Sequence, residues 1–153
     1  MDREIYKVTD INPRLSMEME NLLLSAGLSE RNAPNGDLFA SFESDGTLTG
    51  AVSGRQFEKD SLLRFVAVRE ERRRESVGSA LVGRLLSYYS GACERTFVLS
   101  LPRAVSFFAR FGFEGIRSDR LPGRIRDSAD LARVRIASCE IMSLELPKKW
   151  PIV

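Results

Sequence analysis

A chain of 153 residues, 43% apolar and 29% charged, has the length and composition of one ordinary globular domain, 1–153, with material for a real core. Its formal net charge of +2 is too small to argue for nucleic acid by itself, and no apolar run is long enough to span a membrane. The start, MDREIYKVTD, lacks the apolar stretch of a signal peptide, so a cytoplasmic location is expected. With no histidine, a zinc site and Ser/His or Cys/His catalysis are disfavoured, and Cys93 and Cys139 are expected as reduced thiols.

Glu4 to Val8 reads as an opening strand. Asn12-Pro13 signals a helix start, with proline tolerated in the first turn, and the helix runs to about Ala26 before Gly27 stops it. Met17, Leu22, Leu23 and Leu24 supply its expected buried side. Ser29 to Asp37 is polar, with a turn at Pro34-Asn35-Gly36. Leu38 to Glu43 and Leu48 to Phe57 form a hairpin through Ser44-Asp45-Gly46. Glu58-Lys59-Asp60 then turns the chain into a third strand, Leu62 to Val68.

Val77 to about Ser90 has the clearest helical pattern, with Val77, Leu81, Leu85 and Tyr88 on one stripe. Arg95 to Leu101 reads as a buried strand, Pro102 opens a short helix to Phe111, and Phe113 to Ile116 is a strand after Gly112. A short helix is expected around Ile125 to Ala132 and a last strand over Cys139 to Leu146, where Cys139 reads as a small buried residue. The tail PKKWPIV carries Trp150. The sum is a mixed α/β domain: an antiparallel meander followed by β-α-β-α-β around a central mixed sheet.

Leu62 to Leu86 carries the chemistry. An apolar strand leads into a loop with Arg69, Arg72, Arg73 and Arg74, and a helix follows that opens on small residues. Backbone N–H groups at a helix start have no intrahelical acceptor, and the helix dipole favours negative charge there. Small residues let a phosphate reach the backbone, and guanidinium groups add charge-assisted hydrogen bonds. The plain alternative is a solvated charged face balanced by Glu70, Glu71 and Glu75; the flanking strand and helix favour the phosphate reading. A second cluster, Arg117, Arg120, Arg124, Arg126, Arg133 and Arg135, reads by default as a solvated face, with an anionic substrate or acidic partner as the alternative.

VAVREERRRESVGSALV, followed by FFARFGF, resembles the GCN5-related N-acetyltransferases (GNAT), which are acyl-CoA-dependent enzymes. Their signature Gln/Arg-x-x-Gly-x-Gly/Ala falls on Arg73, Arg74, Glu75, Ser76, Val77 and Gly78, followed by Ser79-Ala80. The resemblance implies a GNAT-like fold and acetyl-CoA as cofactor. It puts Val66, Ala67 and Val68 along the pantetheine arm, and Arg73 through Gly78 with Ser79 around the pyrophosphate. Ser76 replaces the first signature glycine, which a negative φ would tolerate. Glu70 stands where a proline is common. Phe108 stands where many members carry the tyrosine that protonates the departing thiolate, and phenylalanine donates no proton.

The chain also resembles the small arsenic-resistance N-acetyltransferases in the stretch Leu23 to Leu28, in Leu62-Leu63-Arg64 and in Phe107 to Phe113. Pro122, Ile125-Arg126 and Ala137-Ser138 match further pieces, while Arg135-Ile136 departs from that family's Cys-Pro. These likenesses imply acetyl transfer directly to the primary amine of a small molecule, an amino acid or an amino-acid-like toxin. Folds of this kind often dimerise through their last strands, so a homodimer is allowed.

Such transfer needs a neutral amine, hence a proton acceptor. Glu43, at the end of a central strand, and Glu140, entering the last strand, are the candidates, each against the plainer reading of a solvated edge charge. A strand N–H around Val68 would polarise the thioester carbonyl. The competing reading is an acyl-CoA-binding sensor without turnover, motivated by Phe108 and the missing histidine.

Overall fold

The computed structural model describes residues 4–27, 36–73, 76–131 and 138–147. Expectations that rest on Pro34-Asn35, Arg74, Glu75, Arg133, Arg135, Ala137 and Trp150 lie outside the described residues. The strands are β1 (Ile5–Lys7), β2 (Asp37–Phe42), β3 (Leu48–Phe57), β4 (Asp60–Val68), β5 (Arg95–Ser100), β6 (Glu114–Gly115) and β7 (Glu140–Glu145). They form one seven-stranded sheet in the order β1-β2-β3-β4-β5-β7-β6. The helices are α1 (Pro13–Ser25), α2 (Val77–Tyr89), α3 (Val105–Ala109) and α4 (Gly123–Arg126). The fold is the expected mixed α/β type. Packing divides the chain into two units, Met1–Arg55 with Phe65–Tyr88, and Gln56–Arg64 with Tyr89–Val153.

In the first unit α1 starts where the sequence signals it. The Asn12 side chain accepts from the Leu15 N–H at 2.8 Å, and Pro13 occupies the first turn. Its buried residues are Leu15, Met19, Leu22 and Leu23, at spacings of four, three and one. Met17 and Leu24 are instead 63% and 60% exposed. Counting apolar residues had put them inside; the helical period places both off the stripe that Leu15, Met19 and Leu22 define.

β2 and β3 are buried on both faces. Leu38, Ala40, Leu48, Ala51, Phe65 and Ala67 pack with α1 in one cluster. On the opposite face of β2, Phe39 meets the Tyr88 ring edge-on at 5.4 Å and lies under the Arg84 guanidinium at 5.7 Å, both from α2. Tyr88 is therefore in contact yet 44% exposed, whereas its neighbour Tyr89 is fully buried. The expected hairpin turn closes with Glu43 N–H to Thr47 O at 2.8 Å and Gly46 N–H to Glu43 O at 2.9 Å. Gly46 takes a φ of +89°, which glycine adopts without strain.

Gly50 on β3 faces α2 at very short range. A Cβ there would lie 3.0 Å from Ala67 O, 3.0 Å from Leu81 Cδ1 and 3.3 Å from Val77 Cγ1. The missing side chain is what lets the first turns of α2 sit down on the sheet.

In the second unit the start of β4 runs parallel to β5, from Asp60↔Arg95 to Leu63↔Val98. β4 continues to Val68 beyond the last pair of that ladder. β5 pairs antiparallel with β7 from Arg95↔Glu145 to Ser100↔Glu140, and β6 adds a short edge. The core here is Leu62, Phe97, Leu121, Ile125, Leu131 and Ile141. The helix expected around 125–132 is split into α4 and a 3-10 turn, Ala129–Leu131. Ser128 accounts for the break, because its hydroxyl donates back to Ile125 O at 2.6 Å and competes with the helical ladder. Asp130 from that turn reaches Arg64 of β4, Nε to Oδ1 at 3.0 Å, with side chains only 4% and 6% exposed.

Gly50→Ala forces α2 and the β4 backbone away by a few tenths of an ångström. A loss of about 1–3 kcal/mol is expected for such overpacking. Thermal melting, at about 2–4 °C per kcal/mol for a chain of this size, checks it.

Candidate functional site

The site is built where β4 ends and α2 begins. Arg69 N–H donates to Thr49 O at 2.9 Å, holding the first loop residue against β3. A 3-10 turn, Glu70–Arg72, follows, closed by Arg72 N–H to Arg69 O at 2.9 Å and Arg73 N–H to Glu70 O at 3.3 Å. Ser76 opens the helix, its carbonyl accepting from Ala80 N–H at 3.0 Å. The N–H groups of Val77, Gly78 and Ser79 lie in the first turn, at the positive end of a 13-residue helix, where the helix itself supplies no acceptor. Val77 is buried, and its side chain is among the atoms facing Gly50.

Ser76 departs from expectation. A negative φ was anticipated, but the residue sits at φ 63°, in the left-handed region. The turn demands the conformation of the signature glycine, and the serine adopts it at a cost of about 1–2 kcal/mol.

The arginines of the loop are engaged with protein atoms. Arg73 Nε donates to Val68 O at 3.0 Å and one Nη to Ser25 O at 3.5 Å. Its guanidinium has five donors, so these bonds leave capacity for an anion. Arg72 Nε binds Glu43 Oε1 at 2.6 Å, and Arg69 pairs with Glu71 at 3.0 Å. Beside the loop runs a groove of about 310 Å³. Glu18, Asn21 and Ser25 of α1, Thr47 of the hairpin, and Arg69, Glu70 and Glu71 supply its polar lining.

The hydrogen bond from Arg72, reinforced by the charges of Arg72 and Arg69, holds the Glu43 carboxyl below the usual carboxylate range. A carboxylate with lowered proton affinity is a poor proton acceptor. Glu140 begins β7, exposed, opposite Ser100 of β5. Phe108 is buried, its ring 5.1 Å from Phe107 and 5.7 Å from Phe113, and it acts as core. Cys139 is half-buried rather than buried, and desolvation raises its thiol pKa, which disfavours the nucleophilic thiolate. The structure thus gathers Glu43, Val66 to Val68, Arg73 and Ser76 to Ser79 into the first unit, while Phe108, Cys139 and Glu140 belong to the second. Sequence reading missed Gly50, although a lone glycine inside a strand is a recognised sign of close approach. It also missed the Glu43–Arg72 pair, for which separated positions leave no local signal.

Residues 4–113 match the model of the Acetyltransferase (GNAT) family, and the chain belongs to that family. It is an N-acetyltransferase that uses acetyl-CoA. The fold is similar to that of Tetrahymena GCN5, with a TM-score of 0.73 and 14% identity over 97% of this chain and 98% of that one. It is also similar to a GNAT-family acetyltransferase from Staphylococcus aureus MU50, with a TM-score of 0.76 and 13% identity over 95% and 99% of the two chains. N-acetylglutamate synthase from Neisseria gonorrhoeae, complexed with coenzyme A and L-arginine, matches with a TM-score of 0.72 and 19% identity. That match covers 94% of this chain but 33% of the synthase. No curated protein sequence matches the chain. Among the described residues no helix is long and apolar enough to cross a membrane.

The residues present fit the cofactor. A diphosphate needs convergent N–H donors and a nearby cation, which the α2 start and Arg73 supply, while Arg69 offsets the nearby Glu71.

Ser76→Gly removes the left-handed strain. A gain of about 1 kcal/mol, or about 2–4 °C in Tm, is expected, measured by thermal melting without ligand. The Glu43–Arg72 contribution behaves as expected for a depressed carboxyl. It is fully present above the ordinary carboxylate pKa of about 4.3 and is lost as pH falls through the lower folded value. The Tm difference between wild type and Glu43→Gln therefore stays constant from pH 8 to about pH 5 and shrinks below about pH 4, read from melting curves across that range.

Proposed function

We propose that the chain transfers the acetyl group of acetyl-CoA directly to the primary amine of a small molecule, an amino acid or an amino-acid-like toxin. This is the activity implied by its resemblance to the small arsenic-resistance N-acetyltransferases. The observation that carries the reading is the juxtaposition of the β4 end, the arginine loop and the α2 start in one unit. Bound acetyl-CoA supplies the activated acyl group as a thioester.

In this reading the N–H groups of Val77, Gly78 and Ser79 and the side chain of Arg73 hold the pyrophosphate, with Arg74, Glu75 and Ser76 completing the loop. The edge of β4 at Val66, Ala67 and Val68 pairs with the pantetheine amides, since its ladder to β5 ends at Leu63. A β4 N–H near Val68 polarises the acetyl carbonyl. The carboxylates of Glu18, Glu70 and Glu71 along the groove favour a cationic amine nearby. Glu43, held as an anion by Arg72, is a weak choice of base, which leaves an ordered water as the proton acceptor; Glu140 belongs to the second unit. Phe108 donates no proton, so any acid would be water or another side chain, and a thiol of ordinary pKa about 8.5 would be a tolerable leaving group even unprotonated. The whole chain, 1–153, acts as one GNAT domain in this proposal. The similar structures bear two relevant names, an N-acetylglutamate synthase and a ribosomal-protein-S18-alanine N-acetyltransferase. One names an amino-acid product and the other a ribosomal protein, so the acceptor has to be decided by assay.

Thiol release from acetyl-CoA, followed against a panel of free amino acids and related amines, is expected to show saturable turnover. Arg73→Glu is expected to raise the acetyl-CoA KM about tenfold or more, the loss of one charge-assisted hydrogen bond. Tight coenzyme A binding with no turnover on any amine would establish the sensor reading in its place.

A further inference from the structure

We infer that Glu43 is a positioning residue for acetyl-CoA, acting through Arg72 on the β4–α2 loop, and is not the proton acceptor of the transfer. The inference rests on the reading that this loop holds the pyrophosphate.

Glu43 is well suited to be an anchor. Its own backbone is tied at both ends of the hairpin turn, N–H to Thr47 O at 2.8 Å and carbonyl to Gly46 N–H at 2.9 Å. The Asp45 carboxylate stiffens that turn further by accepting from Thr47 N–H at 2.9 Å. From this fixed point the Glu43 side chain, 27% exposed, accepts from Arg72 Nε at 2.6 Å, in the short range of charge-assisted bonds. The two residues are 29 positions apart, so the bond joins the β2–β3 hairpin to the cofactor loop.

Arg72 is the last residue of the 3-10 turn, and Arg73 follows it directly. Holding Arg72 fixes the direction in which the chain leaves the turn, and with it the placement of Arg73 on Val68 O. Preorganisation of this kind lowers the ordering cost when ligand binds. The charges facing Glu43 are Arg72, Arg69 and Asp45; the arginines favour its anionic form and Asp45 opposes it. A carboxylate occupied by a guanidinium donor at 2.6 Å has one oxygen already engaged and little tendency to accept an amine proton.

A competing electrostatic effect makes the test sharp. Neutralising Glu43 also raises the net positive charge beside the proposed anion site, which by charge alone would tighten coenzyme A binding. At physiological salt that gain is screened over about 8 Å, so loss of order is expected to dominate.

The experiment measures acetyl-CoA Kd by calorimetry, together with kcat and both KM values, for Glu43→Gln, Arg72→Gln and the double variant at physiological salt. Each single variant is expected to raise acetyl-CoA Kd and KM about three- to tenfold, with kcat and acceptor KM within about twofold of wild type. The double variant is expected to be no worse than either single, because both remove one interaction. Glu43→Asp should restore part of the affinity, and the acid limb of the kcat/KM pH profile should be unchanged in Glu43→Gln. A hundredfold fall in kcat with cofactor affinity intact would make Glu43 the proton acceptor. Unchanged or tighter cofactor binding, or additive single effects, would also overturn the inference. Arg73→Glu separates the two levels: if it leaves Kd unchanged, the loop reading fails and the inference with it. If it weakens binding while Glu43→Gln does not, only the positioning role fails. Arg72→Gln tests the same bond from the other side should Glu43→Gln fold poorly.

Discussion

The seating of α2 on Gly50 is the constraint on which the site depends. With no side chain at that position, Val77 and Leu81 approach β3. That placement sets where the start of α2 points, and Ser76 just before the helix takes φ 63°.

The arginine-rich loop is not a loose cationic patch. Arg69, Arg72 and Arg73 each answer a protein acceptor, so the segment is organised before any phosphate arrives. Coulomb attraction from exposed guanidinium groups is weak and salt-sensitive, whereas fixed amides at a helix start act at short range in a set direction. Arg69, Arg72 and Arg73 brace the described part of the loop on protein acceptors. The second unit uses charge differently: the buried Arg64–Asp130 pair joins a connecting segment to β4, where removing one partner alone would strand the other's charge away from water.

Much of the fold was legible in the residues. Asn12-Pro13 marks the start of α1, Ser44-Asp45-Gly46 the hairpin, and the Val77-Leu81-Leu85 spacing the body of α2, because local chemistry controls caps, turns and periodicity. Met17 and Leu24 misled because three adjacent leucines cannot all share one side of a helix, and composition does not say which faces out. The helix expected around 125–132 was shortened by a hydroxyl that competes for a carbonyl, a choice made by local geometry.

The sequence by itself determined the α/β class, the order of elements and the place of an arginine-rich loop between a strand and a helix. These depend on side-chain period and on the special backbone habits of asparagine, proline and glycine near one another in the chain. Tertiary structure alone decided the rest: that Ser76 takes a glycine conformation, that Gly50 admits α2, and that Glu43 answers Arg72 across 29 residues. Contacts between distant segments depend on how whole elements pack, and no residue's own propensity encodes its partner. The loop read from the residues as a phosphate cradle is braced at Arg69, Arg72 and Arg73 on protein acceptors.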